Sequence, residues 1–228
     1  MATHTLTAFE PRKTPVQERA AVTVEAISEA TIQVLLAHGA DRLTTTRVAE
    51  RAGVSVGTLY QYFPNKQSLL FAVLKEHLKA VSDRVADACE RAKHKPLTEM
   101  IKQVVEAYVD VKVERSDISV ALYQIAPDVG GPALVRRAFQ RLRKAIEAMM
   151  ETAPDMTSQP DKFAPEMMLA AMSGAMRSVL EAGASPAMMR KLREHLVLLC
   201  QSYLAAATGF LRVPESRKTV GNPLRKLS

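Results

Sequence analysis

The sequence predicts an all-α fold, and three observations carry that prediction. Leu, Ala, Met, Glu, Lys and Arg dominate the chain, and these residues lose little on entering a helix. Apolar residues recur at three- and four-residue spacing along most of it, and no run alternates as a half-buried strand would. The breaks fall at Gly, Pro and short polar clusters. The chain has 228 residues, 47% of them hydrophobic and 24% charged, enough for a small helical module and a larger helical body.

Residues 1–13 are polar and irregular and are expected to form a mobile arm, with Arg12 and Lys13 directly before the first helix. Thr14-Pro15-Val16-Gln17 is a helix start: Thr as N-cap, Pro at the first helical position, Gln three residues after the cap. Ala20, Val24, Ile27, Thr31 and Val34 then share a face, and Gly39 stops the helix. Thr44 caps a second helix that runs through Ala52. Gly53 suits the left-handed turn that closes it, and Ser55 caps a third helix that Pro64 ends.

Two short helices joined by a tight Gly-containing turn form a helix-turn-helix, in which the second helix enters the DNA major groove. Leu59 and Phe63 lie on one face of that second helix and pack on the first, with Val48, Ala52 and Val54 opposite. Val56, Gly57, Thr58, Tyr60, Gln61 and Tyr62 are left facing outward or sideways. Two phenols, an amide and a hydroxyl without Asp or Glu suit phosphates and base edges. Thr45 and Thr46 lie in the first turn of the preceding helix, where hydroxyls and free N–H groups can meet a phosphate. Arg47 reads as a DNA-backbone contact, with a solvated surface arginine as the alternative.

Asn65 caps a long helix to about Arg91, with Leu69, Leu70, Val73, Leu78, Val81 and Val85 on its apolar face, and Lys93-His94-Lys95-Pro96 breaks it. Further helices are expected at 97–114 and at 117–126, the latter ended by Pro127, and at 132–152, 165–182 and 186–207. In the 132–152 helix Arg136, Arg137, Arg141, Arg143 and Lys144 read as a solvated face. Residues 153–165 read as a proline-containing loop. In the last helix Leu192, Leu196, Leu199 and Tyr203 form an apolar seam, with Val197 and Cys200 beside it. The division expected is 14–64 for the helix-turn-helix module, 65–209 for the body and 210–228 for a basic, disordered tail.

Eleven methionines are many for such a chain. Any single one reads as core filling. As a group, Met100, Met149, Met168, Met172 and Met176, with Val104, Tyr108 and Tyr123, form a candidate apolar effector site, because methionine adapts its shape to what it contacts. Arg177 pairs with Glu181 one turn later.

The net charge of +7 fits a polyanionic partner but is not focused on the helix-turn-helix. His4, His38, His77, His94 and His195 show no ligand spacing, and no phosphate loop or nucleophile motif is present, so neither an enzyme, a metal nor a cofactor is expected. Cys89 and Cys200 stand far apart and point to a reducing, cytoplasmic compartment. No apolar run reads as a membrane span and no signal peptide precedes the first helix.

The stretch Thr44 to Lys66, above all Gly53-Val54-Ser55-Val56-Gly57-Thr58-Leu59-Tyr60-Gln61-Tyr62-Phe63-Pro64-Asn65-Lys66, resembles the DNA-binding signature of TetR-family transcriptional regulators. The resemblance extends from about Val16 to about Leu74. It implies a homodimer on a palindromic DNA operator, paired through the last two long helices, and a small-molecule effector bound in the body. It also implies repression relieved by the effector. An activator, or a sequestering protein with an unused helix-turn-helix, is the alternative. By the same resemblance Val56 and Gly57 open the recognition helix, Thr58, Tyr60 and Tyr62 bond phosphates, Gln61 reads a base or a phosphate, and Lys66 neutralises a phosphate. Ser55, Thr45, Thr46 and Arg47 complete the expected face, and the arm either touches DNA or is a solvated terminus. The chain departs from the family at Arg47, where an acid is common, at Val56, where a polar or basic residue is frequent, and at Tyr62, where His is common.

Overall fold

The computed structural model describes residues 18–156, 158 and 161–208. The arm, the helix start at Thr14-Pro15 and the basic tail lie outside them. The described residues form nine α-helices and no strand: α1 Glu18–Arg42, α2 Thr45–Ala52, α3 Val56–Tyr62, α4 Lys66–Ala92, α5 Leu97–Glu114, α6 Ser116–Ile125, α7 Gly131–Met150, α8 Phe163–Glu181 and α9 Pro186–Ala207. The all-α expectation is met.

The caps follow the sequence. Thr44 accepts from the Arg47 N–H, Ser55 from Thr58, and Asn65 from Ser68, which closes a reciprocal capping box. Gly53 takes φ +69° and its N–H returns to α2. Gly39 (φ +74°, ψ 169°) is non-helical and stops the long first stretch of α1 as expected, and a separate short turn follows it to Arg42. α6 ends at Ile125, just before Pro127 as expected, and Pro127 sits in a 3-10 turn, Ala126–Val129, that joins α6 to α7 through Gly130. The start of α5 has no local side-chain cap. Asp155, from the loop after α7, accepts from the Leu97 N–H at 2.9 Å.

Packing gives two apolar clusters. The first joins Ile27, Val34 and Leu35 of α1, Val48 of α2, Leu59 of α3 and Leu69 to Leu74 of α4 with Ile118, Leu122 and Ile125 of α6. The second joins the far half of α4 to α5, α7, α8 and α9. Division by packing therefore runs through α4, and α6 inserts into the module that holds α1–α3. α4 is the spine, packed on α5 along one flank and α7 along another. Ion pairs tie these elements at the surface: Arg141 to Asp83 (2.6 Å) and Arg193 to Asp110 (2.5 Å). Lys79 and Arg141 hold the Asp83 carboxyl below its ordinary range.

Two expectations need correction. α1 is, by length and composition alone, apolar enough to cross a membrane. Its Ile27, Ala30, Thr31, Val34 and Leu35 are instead one face packed against α2, α4 and α6, while Val22 and Leu36 stay exposed. The expected seam on α9 also splits. Leu196, Cys200 and Leu204 are buried, whereas Leu199 is 50% exposed and its neighbour Leu198 60%. A 3.6-residue period places residues 196, 200 and 204 on one stripe and moves 198 and 199 off it.

Candidate nucleic-acid interface

α3 is held from beneath. Leu59 and Phe63 are buried in the first cluster, and Tyr62 is half-buried against it. Val56 (36% exposed), Gly57, Tyr60 (43%) and Gln61 face solvent. No acidic residue lies in α3.

The polar residues expected at this face form a hydrogen-bonded frame. The Tyr60 hydroxyl lies 3.1 Å from Thr45 Oγ1, which links α3 to the first turn of α2. The Ser55 and Thr58 hydroxyls are 2.8 Å apart, and Ser55 also accepts from the Thr58 N–H at 3.0 Å. Thr46 is exposed in the first turn of α2, and Lys66 is half-exposed in the first turn of α4. Arg47 donates to the Arg42 carbonyl, so its cation sits where α1 ends and α2 begins, beside Thr45 and Thr46. The structure thus brings Thr45 to Tyr60 and Ser55 to Thr58, leaves Thr46, Arg47, Val56, Gly57 and Gln61 exposed and Lys66 half-exposed, and packs the ring of Tyr62 partly inward. Arg51, at the other end of α2, donates to Gln33 of α1 and braces the pair.

The expected effector residues also come together, as packed core. Met100, Val104, Tyr108, Met149, Met168, Met172 and Met176 are all buried in the second cluster, and Tyr123 packs against it half-buried. Tyr108 hydrogen-bonds Ser173, and burial pushes its phenol well above its ordinary pKa. Arg177 pairs with Glu181 at 2.9 Å and also lies 5.3 Å from the centre of the Tyr123 ring.

Sequence reading missed a polar group beside this core. Among the described residues Lys112 is the one charged side chain that is buried. Its ammonium is 3.3 Å from His77 Nε2 and 5.1 Å from the Tyr123 ring centre, and the Ser119 hydroxyl is 3.3 Å from the same His77 nitrogen. Burial lowers the Lys112 pKa to about 8. Burial, then the charges of Lys112 and Arg115, lower that of His77 to about 3, so the imidazole is neutral and accepts from Lys112. A signal was present: Lys112 follows Tyr108 by four residues, and His77 follows Val73 by four, so both lie on buried stripes.

The thiols of Cys89 and Cys200 are buried and free, with pKa values raised to about 12 and about 11, which leaves them unreactive. Among the described residues no group of three His, Cys, Asp or Glu is placed to hold a metal.

Comparison with known proteins agrees with this geometry. The family described as "Bacterial regulatory proteins, tetR family" matches residues 27–73, which take in α2, α3 and the start of α4. A "Tetracyclin repressor-like, C-terminal domain" matches residues 96–204. The chain is similar to the HTH-type transcriptional repressor KstR of Mycolicibacterium smegmatis, 43% identical over 63 residues, which cover 26% of this chain and 31% of that protein. It is also similar to the fatty acid metabolism regulator protein of Bacillus subtilis, 33% identical over 61 residues, 27% of this chain and 31% of that protein. These alignments span about a third of each relative. Among solved structures, a TetR-family transcriptional regulator from Streptomyces coelicolor superposes with TM-score 0.64 at 20% identity, covering 87% of this chain and 85% of that one. FadR, a fatty acid degradation regulator from Bacillus halodurans, superposes with TM-score 0.59 at 18% identity, covering 88% and 98%. These last two likenesses establish the fold. A helix-turn-helix with an exposed, acid-free second helix, joined to a helical body that matches the second family description, places the chain in the TetR family of bacterial transcriptional regulators.

Proposed function

We propose that the chain is a homodimeric repressor that binds a palindromic DNA operator and is released by a small effector held in its body. The observation that carries this reading is the solvent-facing side of α3. Val56, Gly57, Tyr60 and Gln61 are exposed on a helix without acidic residues, and the Tyr60–Thr45 and Ser55–Thr58 pairs fix its outer surface. Thr46, Arg47 and Lys66 supply backbone-directed donors on either side. In the complex these groups meet phosphates, and Val56 and Gln61 meet base edges, Val56 through a thymine methyl.

Support for the dimer comes from α8 and α9. Phe163, Met167, Met188, Leu198 and Leu199 are large apolar side chains left exposed on these two helices. α8 and α9 pack on each other, and a partner laid across them would cover these side chains. A second copy packed on it makes a four-helix interface and sets the two α3 helices one DNA turn apart, about 34–36 Å. The repressor acts in the cytoplasm, where its operator is.

The test is Val56→Glu and Tyr60→Ala, made separately, with a cognate operator duplex and sedimentation of the free protein. Each variant is expected to sediment as the wild type and to lose about tenfold or more in operator affinity, the scale of one base or backbone contact. Wild-type affinity in both variants places the DNA face elsewhere.

A further inference from the structure

Lys112 is 5% exposed, yet among the described residues no carboxylate pairs with it. An ammonium carries three donors. In this structure one hydrogen bond, to His77, and the face of Tyr123 are its partners. Burying a cation without a counter-charge is unfavourable, so such a cation is a ready receptor for an anion. The neighbouring cation, Arg177, already has Glu181. Arg115, whose charge also reaches His77, is exposed to water, so the buried charge to be compensated is single and fits a monoanion better than a phosphate dianion.

We propose that Lys112, with Ser119 and Tyr123 beside it, receives the carboxylate of an amphipathic monocarboxylic acid whose apolar part packs among the methionines of the body. The proposal rests on the effector reading above and names the effector's chemical class. Tyr123 packs against the cluster that contains Tyr108, Met172 and Met176, so head-group site and apolar core adjoin. Methionine side chains re-pack at low cost, which lets a chain enter a core that is filled. Tyr123 is half-buried and Arg177, 5.3 Å from its ring centre, is exposed, so these two side chains lie between Lys112 and solvent.

The site also has a lever. Ser119 and Tyr123 occupy one face of α6, and Ile118, Leu122 and Ile125 occupy another, sunk in the core that holds α1–α3. His77 lies on α4, the spine shared by both clusters. A carboxylate that takes the Lys112 ammonium from His77 and Tyr123 changes the seat of α6 and, through it, the seat of the DNA module. Such a ligand moves the equilibrium only by binding one seat of α6 more tightly than the other.

The experiment uses the full chain and three ten-carbon probes, decanoate, decanol and decyltrimethylammonium, with binding measured by calorimetry below their micelle concentrations. Decanoate is expected to bind about 10- to 100-fold more tightly than decanol, the scale of a desolvated charged hydrogen bond. Lys112→Met is expected to abolish that preference and leave decanol affinity unchanged, and Lys112→Arg to retain part of it. Equal binding of decanoate and decanol by the wild type, an unchanged preference in Lys112→Met, or no decanoate binding at all overturns the proposal. Operator release is read separately. Decanoate bound through Lys112 without loss of DNA affinity leaves the head-group site standing and removes the effector-release reading. Release by decanol and decanoate alike, in wild type and Lys112→Met, keeps the regulator reading and removes the head-group site.

Discussion

Lys112 and His77 set the residue-scale energetics. Burial lowers the Lys112 pKa from 10.5 to about 8, so below pH 8 the fold carries the full cost of its charge, and the cost disappears as pH rises toward 10.5. Replacing it by an apolar side chain of similar length removes that cost, and Lys112→Met is expected to raise unfolding stability at pH 7 by about 1–3 kcal/mol, measured by urea denaturation. His77 has the matching sign. Its folded pKa of about 3 lies below the unfolded 6.5, so the unfolded chain binds more protons between those values. The stability it contributes is present above pH 6.5 and is lost as pH falls toward 3. His77→Asn is expected to flatten the stability–pH curve in the upper part of that window. An unchanged slope would show that other groups carry it.

At the scale of elements, Gly53 and Gly131, each at a helix end, act for different reasons. Gly53 has a left-handed backbone and open space where a Cβ would be, so Gly53→Ala is expected to cost about 1–2 kcal/mol, the backbone term alone. Gly131 lacks that backbone, but a Cβ there would come within 2.4 Å of the Ala126 carbonyl oxygen. Gly131→Ala must push apart the 3-10 turn and the start of α7, at about 2–4 kcal/mol. Thermal unfolding of the two variants checks the ranking, and an equal loss would contradict it. The caps at Thr44, Ser55 and Asn65 were legible in the sequence because each is a local bond within three residues. The cap of α5 was not, because Asp155 reaches Leu97 from 58 residues away. The helix end before Pro127 was legible, but the 3-10 turn Ala126–Val129 beyond it was not, because a proline is compatible with the first turn of a 3-10 helix as well as with an irregular loop.

For the whole molecule, the sequence carried the helix-turn-helix and its exposed face, since both depend on short-range spacing. It did not carry the double seat of α6, which depends on which of two apolar clusters each face meets. The candidate effector residues lie in one packed core, and the charged group beside it is hard to read from the sequence because Lys112 and His77 sit on otherwise apolar stripes. The exposed apolar face of α8 and α9 gives a prediction at this scale. Leu199→Arg, at a half-exposed position, is expected to keep the helical content and to convert a dimer at micromolar concentration to a monomer in sedimentation, with operator binding lost alongside. A dimer that survives this change uses another surface.

The central claim, sequence-specific dimeric DNA binding through α3, is met most directly by selecting the full chain against random duplex DNA across a series of salt concentrations. The account predicts enrichment of a palindrome whose half-site centres lie about one helical turn apart, with affinity falling steeply as salt rises. Binding that falls with salt but enriches no sequence would contradict it, and would reduce the net charge of +7 to a general attraction for polyanions.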